Sequence, residues 1–254
     1  MSRRVLVTGA SRGVGAAIAG RFAALGDEVI AVSRDLDALR RSVADQAAVV
    51  AGEGTIRALA CDVTDETAIA GLADQVGDVD VLVNNAGRSE SAPLHETTLE
   101  SWQAQMAVNA TGVFLCTRAF IGGMRDRGEG RIITIASTAG RAGAAYASAY
   151  SASKHAAVGL TRAAAAEFAG TRITANAVCP AFVDTEMTQR SAERIAQRSG
   201  RTVSESVEAL ARLSPLRRLV TVDEIADAVE WLASPGAVAI NGQTIVIDGG
   251  GLQT

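Results

Sequence analysis

Tyr150 and Lys154 are the residues whose types and spacing first suggest chemistry. They stand four positions apart in an alanine-rich stretch that predicts a helix over Ala147–Phe168, so both side chains point to one face. An ordinary phenol titrates near ~10 and exchanges protons poorly at neutral pH. An ammonium about 4 Å away, at an effective dielectric of ~20, attracts the phenolate by about 4 kcal/mol. That is enough to lower the phenol by roughly 2–3 pH units, toward the range where acid–base catalysis works best. Taken alone, a tyrosine and a lysine at helical spacing also describe a half-buried ring beside a solvated amine. Ser137 changes the weighing. It lies thirteen residues earlier, at the end of a predicted strand, where doubly wound sheets bind ligands. Its hydroxyl could hold a carbonyl oxygen beside Tyr150. Asn109 sits in mid-helix in Val108-Asn109-Ala110-Thr111-Gly112, a place its propensity does not favour.

A second group of residues suggests a dinucleotide. Thr8-Gly9-Ala10-Ser11-Arg12-Gly13-Val14-Gly15 joins the first predicted strand to the first predicted helix. A pyrophosphate needs backbone N–H groups at a helix start and no Cβ in the way, and glycines at 9, 13 and 15 supply both. The second strand ends in Val32-Ser33-Arg34. An acidic residue at that end would bind the ribose 2′-hydroxyl of NAD, whereas a guanidinium can pair with a 2′-phosphate.

The elements that must position these residues follow from periodicity. Apolar strands are expected at Arg4–Thr8, Glu28–Ser33, Thr55–Cys61, Val79–Val83, Arg131–Ala136, Ile173–Val178 and Thr244–Ile247. Helices are expected at Gly13–Leu25, Leu36–Val50, Asp65–Val76 and Ala147–Phe168. A capping box from Thr97 to Glu100 predicts one long helix to about Met124, and another from Thr221 to Glu224 opens a helix through Leu232. This alternation predicts an α/β chain: one Rossmann-type domain over residues 1–254, a doubly wound parallel sheet of about seven strands with helices on both faces. Residues 184–220 break the pattern, being polar and weakly helical, and are expected to form a substrate lid. Trp102 and Trp231 fall at helical spacing with apolar neighbours and are expected in the core.

Composition narrows the function classes. The chain has 254 residues and a formal net charge of -4 without a long run of like charge, which argues against nucleic acid and anionic membrane as partners. Cys61, Cys116 and Cys179 lie far apart in no metal-binding spacing, so they are expected to be buried thiols and no metal is expected. The run Val5-Leu6-Val7 is too short for a secretory leader, and nothing approaches the ~18 apolar residues of a membrane span. The expectation is a soluble cytoplasmic protein.

The TGxxxGxG turn, Asp62, Asn84-Asn85-Ala86-Gly87, Asn109, Ser137, Tyr150 to Lys154 and Pro180 occur in an order that resembles the short-chain dehydrogenase/reductase family across essentially the whole chain. The look is nearest to bacterial 3-oxoacyl-thioester reductases and polyketide ketoreductases. The resemblance implies a catalytic tetrad of Asn109, Ser137, Tyr150 and Lys154. It implies that Lys154 also binds the nicotinamide ribose, and that the Asn109 backbone, at a helix distortion, holds a water. It implies cofactor contacts from Gly9, Ser11, Arg12, Gly13, Val14, Gly15, Ser33, Arg34, Asp62, Val63, Asn85, Ala86, Gly87, Tyr150, Lys154, Pro180, Val183 and Thr185. Asn84 would steady the sheet, and Thr138–Tyr146 would wall the substrate site with Tyr146 as a candidate contact. Ser33 and Arg34, with Arg12, favour NADPH, with NADH as the other possibility. The implied function is NADPH-dependent hydride transfer to a 3-oxoacyl or polyketide-like ketone, with Tyr150 as general acid/base and a small-molecule ketone or acyl thioester as substrate. The alternatives are an alcohol or hydroxyacid dehydrogenase acting oxidatively, and a non-enzymatic NADP-sensing regulator. Ala181 replaces the glycine usual in the Pro180–Thr185 segment, which would strain the backbone if φ is positive. A homotetramer is implied through the two long helices.

Overall fold

The computed structural model describes residues 2–47 and 54–253. Seven strands form one parallel sheet: β1 (Arg4–Thr8), β2 (Glu28–Ser33), β3 (Thr55–Ala60), β4 (Val81–Asn84), β5 (Glu129–Ile135), β6 (Arg172–Pro180) and β7 (Thr244–Ile247). Their order is β3-β2-β1-β4-β5-β6-β7. The fold expected from the alternating pattern is the fold observed.

Side chains alternate across a strand, so each strand feeds two cores. Val5 and Val7 of β1, with Val29, Val83 and Ile133, pack on one face against α1 (Gly13–Ala24), α2 (Leu36–Ala47) and α9 (Val222–Ala233) through Phe22, Leu39 and Leu232. Leu6, Ile30, Leu82 and Ile132 point the other way. They meet α3 (Glu66–Val76), α5 (Gly112–Arg127) and α6 (Ser148–Glu167) through Leu72, Phe120, Met124 and Ala165. The three cysteines are buried and free.

Most elements fall within two residues of expectation. The predicted helix Leu36–Val50 is seen to Ala47, and its last three positions lie outside the described residues. Three expectations need correction. The long helix after residue 97 is broken into α4 (Leu99–Met106), a π turn (Ala107–Thr111) and α5. Its cap is Thr98, accepting from Ser101 N, and not the predicted Thr97–Glu100 box. Residues 184–220, expected to be polar and weakly helical, hold two well-formed helices, α7 (Glu186–Ser199) and α8 (Val203–Ala211), the second opened by a Thr202–Glu205 capping box. Trp102 and Trp231 are 39% and 46% exposed. Trp231 lies beside the stripe of Ile225, Val229 and Leu232 that α9 buries, and in α4 the buried position is Gln105.

Because β1 pairs with β2 on one side and β4 on the other, the loops leaving β1 and β4 turn to opposite faces. The crevice between them is where such sheets bind ligands.

Candidate active site

The turn after β1 is built without room for side chains. Gly9 has φ +66°, and a Cβ there would stand 2.7 Å from Ala86 Cα. A Cβ on Gly15 would collide with the Gly9 carbonyl and the Asn85 amide. Thr8 Oγ1 accepts from the N–H of Asn85 (3.0 Å) and of Ala86 (3.1 Å), and Asn85 Nδ2 donates back to Thr8 O (2.9 Å) and Gly9 O (3.1 Å). The loops after β1 and β4 are thereby locked together. No side chain caps the start of α1. Its first N–H groups and the positive end of its dipole therefore face a bare glycine cradle, which fits a dinucleotide pyrophosphate.

The adenosine end of the cleft is more occupied by internal pairs than the sequence suggests. The Ser33 hydroxyl donates to Ser11 Oγ (3.2 Å). Arg34 stands 3.8 Å from Asp62, and Arg12 pairs at 3.0 Å with Glu186. Asp62 accepts from Thr64 N (2.9 Å) and Thr64 Oγ1 (2.8 Å), while the cap of α3 is Asp65. Asp35 accepts from Ala38 N (2.9 Å) at the start of α2.

The four candidate catalytic residues come from three places in the chain. Ser137 follows β5, Tyr150 and Lys154 lie on α6, and Asn109 lies in the π turn. Asn109 is buried with its amide fully engaged. Nδ2 donates to Arg88 O (2.8 Å) and Ser153 Oγ (2.9 Å), and Oδ1 accepts from Arg88 N (2.8 Å). The distortion inferred from Asn109 is present as that π turn. The side chain itself fastens the loop after β4 to α6, a role the sequence reading left out. Asn84 Nδ2 donates to Thr117 Oγ1 (3.1 Å), tying β4 to α5.

Ser137 Oγ accepts from Ala139 N (3.1 Å) and also hydrogen-bonds the Tyr150 phenol. Lys154 Nζ donates to Ile135 O (2.8 Å) and lies 5.8 Å from the centre of the Tyr150 ring. The electrostatics correct the expectation for Tyr150. Its phenol is pushed above the ordinary value because burial disfavours the phenolate; a hydrogen bond with Ser137 opposes this, and Cys179 adds to it. Burial also lowers Lys154, to about 8. The ammonium is turned to the Ile135 carbonyl, and desolvation of the ring outweighs attraction between the two groups.

Ser137, Tyr150 and Lys154 border one cleft of about 500 Å³, which runs from the glycine turn past Ser33, Asp62, Val63 and Gly87 to Pro180 and Val183, while Asn109 is buried behind its lining. Arg88, Ser89, Glu186, Met187, Arg190 and Ser191 also border it and were not among the predicted site residues. The last four fall in the stretch 184–220 expected beside the substrate, whereas Arg88 and Ser89 directly follow the predicted Asn85–Gly87 contacts. Thr185 lines the cleft, with its hydroxyl 3.4 Å from Val183 O. Ala181 does not have positive φ, so the replaced glycine leaves no strain. Tyr146 does have φ +62°; it is 68% exposed and stands outside the cleft lining, while Thr138, Ala139 and Ala144 supply that wall.

Residues 3–196 match the family model described as short chain dehydrogenase. The chain is 42% identical to a protein of the granaticin polyketide synthase of Streptomyces violaceoruber, over 96% of this chain and 91% of that one. It is 39% identical to the acetoacetyl-CoA reductase of Rhizobium meliloti, over 98% of both chains. A crystal structure of a variant actinorhodin polyketide ketoreductase with NADPH superposes with a TM-score of 0.90 at 38% identity, covering 98% of this chain and 97% of that chain.

Proposed function

The chain belongs to the short-chain dehydrogenase family and is an oxidoreductase acting between CH–OH and C=O, and from that premise we propose an NADPH-dependent reductase of ketones in 3-oxoacyl or polyketide-like substrates. The observation that carries this reading is the meeting of Ser137, Tyr150 and Lys154 in the same cleft as the glycine cradle.

When bound, the reduced nicotinamide supplies a hydride to the ketone carbon. The chain's own residues handle the oxygen. The Ser137 hydroxyl lies against the phenol and can hold the carbonyl oxygen in line with it. Tyr150, kept protonated by burial, then has a proton to give to the oxygen as negative charge develops there. Lys154 brings a positive charge to the same cleft and would hold the nicotinamide ribose. The glycine turn would hold the pyrophosphate, and Asp62 with the Val63 backbone the adenine.

Ser33 stands where an acidic residue would select NAD, and Arg34 and Arg12 border the same end of the cleft, which supports the 2′-phosphorylated cofactor. The acyl-thioester character of the substrate rests on the relatives named above. No helix among the described residues is long and apolar enough to cross a membrane. A homotetramer completes the proposal.

The test is consumption of NADPH against a ketone panel that includes acetoacetyl thioesters. Ketone-dependent turnover with higher kcat/KM for NADPH than for NADH is expected. Turnover with none of the ketones, or a preference for NADH, would overturn the corresponding half of the reading.

A further inference from the structure

The lid helix α7 crosses the cleft and is fastened on both sides. Arg194 reaches Ser89 O (3.5 Å) and Arg198 reaches Glu96 (3.4 Å), both on the loop after β4. The N-terminal end is fastened to the cofactor turn. A Cβ on Gly13 would stand 3.2 Å from Thr185 Cγ2, and Glu186 pairs with Arg12 at 3.0 Å. That pair borders both the main cleft and a neighbouring hollow of about 810 Å³ lined by α2, so it partitions the two at the adenosine end.

Glu186 does not depend on Arg12 for its place. It sits in the first turn of α7, where a carboxylate complements the helix dipole. It also accepts from Arg190 at 3.3 Å, an i,i+4 pair of the favourable orientation. Losing Arg12 would therefore leave the carboxylate partnered. Arg12, in turn, offers a guanidinium that a phosphate dianion can engage bidentately, a stronger partner than an exposed carboxylate.

We infer that Glu186 is a specificity-determining residue that occupies Arg12 in place of the 2′-phosphate, so that the 2′-phosphate of the cofactor competes with the lid for Arg12 and releases the N-terminal turn of α7. This rests on the NADPH reading above. A cofactor without that phosphate leaves the Arg12–Glu186 pair closed. The lid thereby senses which cofactor is bound, through one ion pair.

The probes are adenosine 2′,5′-bisphosphate and adenosine 5′-monophosphate, titrated calorimetrically into the wild type and into Glu186→Gln, Arg12→Gln and the double variant. The Arg12 and Glu186 side chains are 60% and 62% exposed, so a modest effect is expected. Glu186→Gln should bind the bisphosphate about two- to fivefold more tightly, the size an exposed ion pair allows, and the monophosphate as before. In the Arg12→Gln background the same substitution should change neither. Equal tightening of both nucleotides, no tightening, or a gain that persists without Arg12 would overturn the inference. In the wild type, amide exchange over residues 186–199 should rise with the bisphosphate and not with the monophosphate; an equal response refutes release of the lid. The two readings fail differently. A wild type that distinguishes the nucleotides while Glu186→Gln changes nothing loses only the role of Glu186. A wild type and an Arg34→Ala variant that are both indifferent to the 2′-phosphate lose the cofactor reading as well.

Discussion

At Tyr150, burial and hydrogen bonding pull in opposite directions, and burial wins. A phenol that keeps its proton suits reduction, where it must donate. Tyr150→Phe removes the hydroxyl and keeps the ring, so turnover should fall by at least the ~10²-fold worth of a positioned acid, while NADPH binding by fluorescence titration stays close to wild type. Near-normal turnover would sink the assignment. Lys154 sets the alkaline side. Its folded value of about 8 lies below the ordinary 10.5, so the folded chain gives up this proton first. Between those values the unfolded chain binds more protons, so this group's contribution to stability rises with pH across that window. Activity should move the other way. At low NADPH concentration, kcat/KM should decline above pH about 8 as the ammonium is lost, and a flat profile to pH 10 would refute the role. The proposed tetrad could be picked out because the family resemblance rests on residues of fixed type in a fixed order. The directions of the shifts were not, since they depend on burial and on where Nζ points. Likewise, nothing in the local sequence pairs Arg12 with a residue 174 positions away.

At the scale of elements, strands were easiest to read because a strand buried on both faces must be an unbroken apolar run, as in Val5-Leu6-Val7. The π turn had no such signature beyond an ill-placed asparagine. Helical periodicity runs through it, and its existence depends on Asn109 finding Arg88 and Ser153 across the fold. Asn109→Leu would strand these groups in a buried place. A loss of about 2–4 kcal/mol is expected, from a penalty of about 1–3 kcal/mol for each unsatisfied partner offset by relaxation. Thermal unfolding should show it, with turnover falling as the loop after β4 loses its tie to α6. An unchanged melting temperature would contradict that account. Helices α7 and α8 show in the sequence only as a weakly helical stretch because their outward faces are polar, although the Thr202–Glu205 box was present as a start signal. The box opening α9 gives a cleaner test. Thr221→Ala removes the acceptor for Glu224 N (3.2 Å) and should cost about 1 kcal/mol, a fall of roughly 2–4 °C in Tm for a chain of this size.

The whole molecule explains why the site lies where it does and raises the question of its outer face. Strand order reverses between β1 and β4, so the carboxyl ends of β1, β4, β5 and β6 deliver Gly9, Ala86, Ser137 and Pro180 to one crevice. That much follows from the alternation of strands and helices. Which helix faces remain bare does not, because an apolar residue at helical spacing reads the same whether it meets its own core or another subunit. Leu99, Trp102 and Phe114 are 69%, 39% and 42% exposed, an apolar set on α4 and α5. Trp102 and Phe114 are 12 positions apart in sequence. With one residue absorbed by the π turn, the remainder makes about three turns of 3.6 residues, which brings them to the same side. Arg118 covers the Phe114 ring at 5.0 Å, a contact that a partner surface can retain. The homotetramer proposed above would bury this set. Light scattering should give the mass of four chains, and Phe114→Glu, which places a charge among these residues, should give a smaller species with the monomer fold retained by circular dichroism. A wild type that runs as a monomer would refute the assembly, and a Phe114→Glu variant that remains four-chained would move the interface elsewhere.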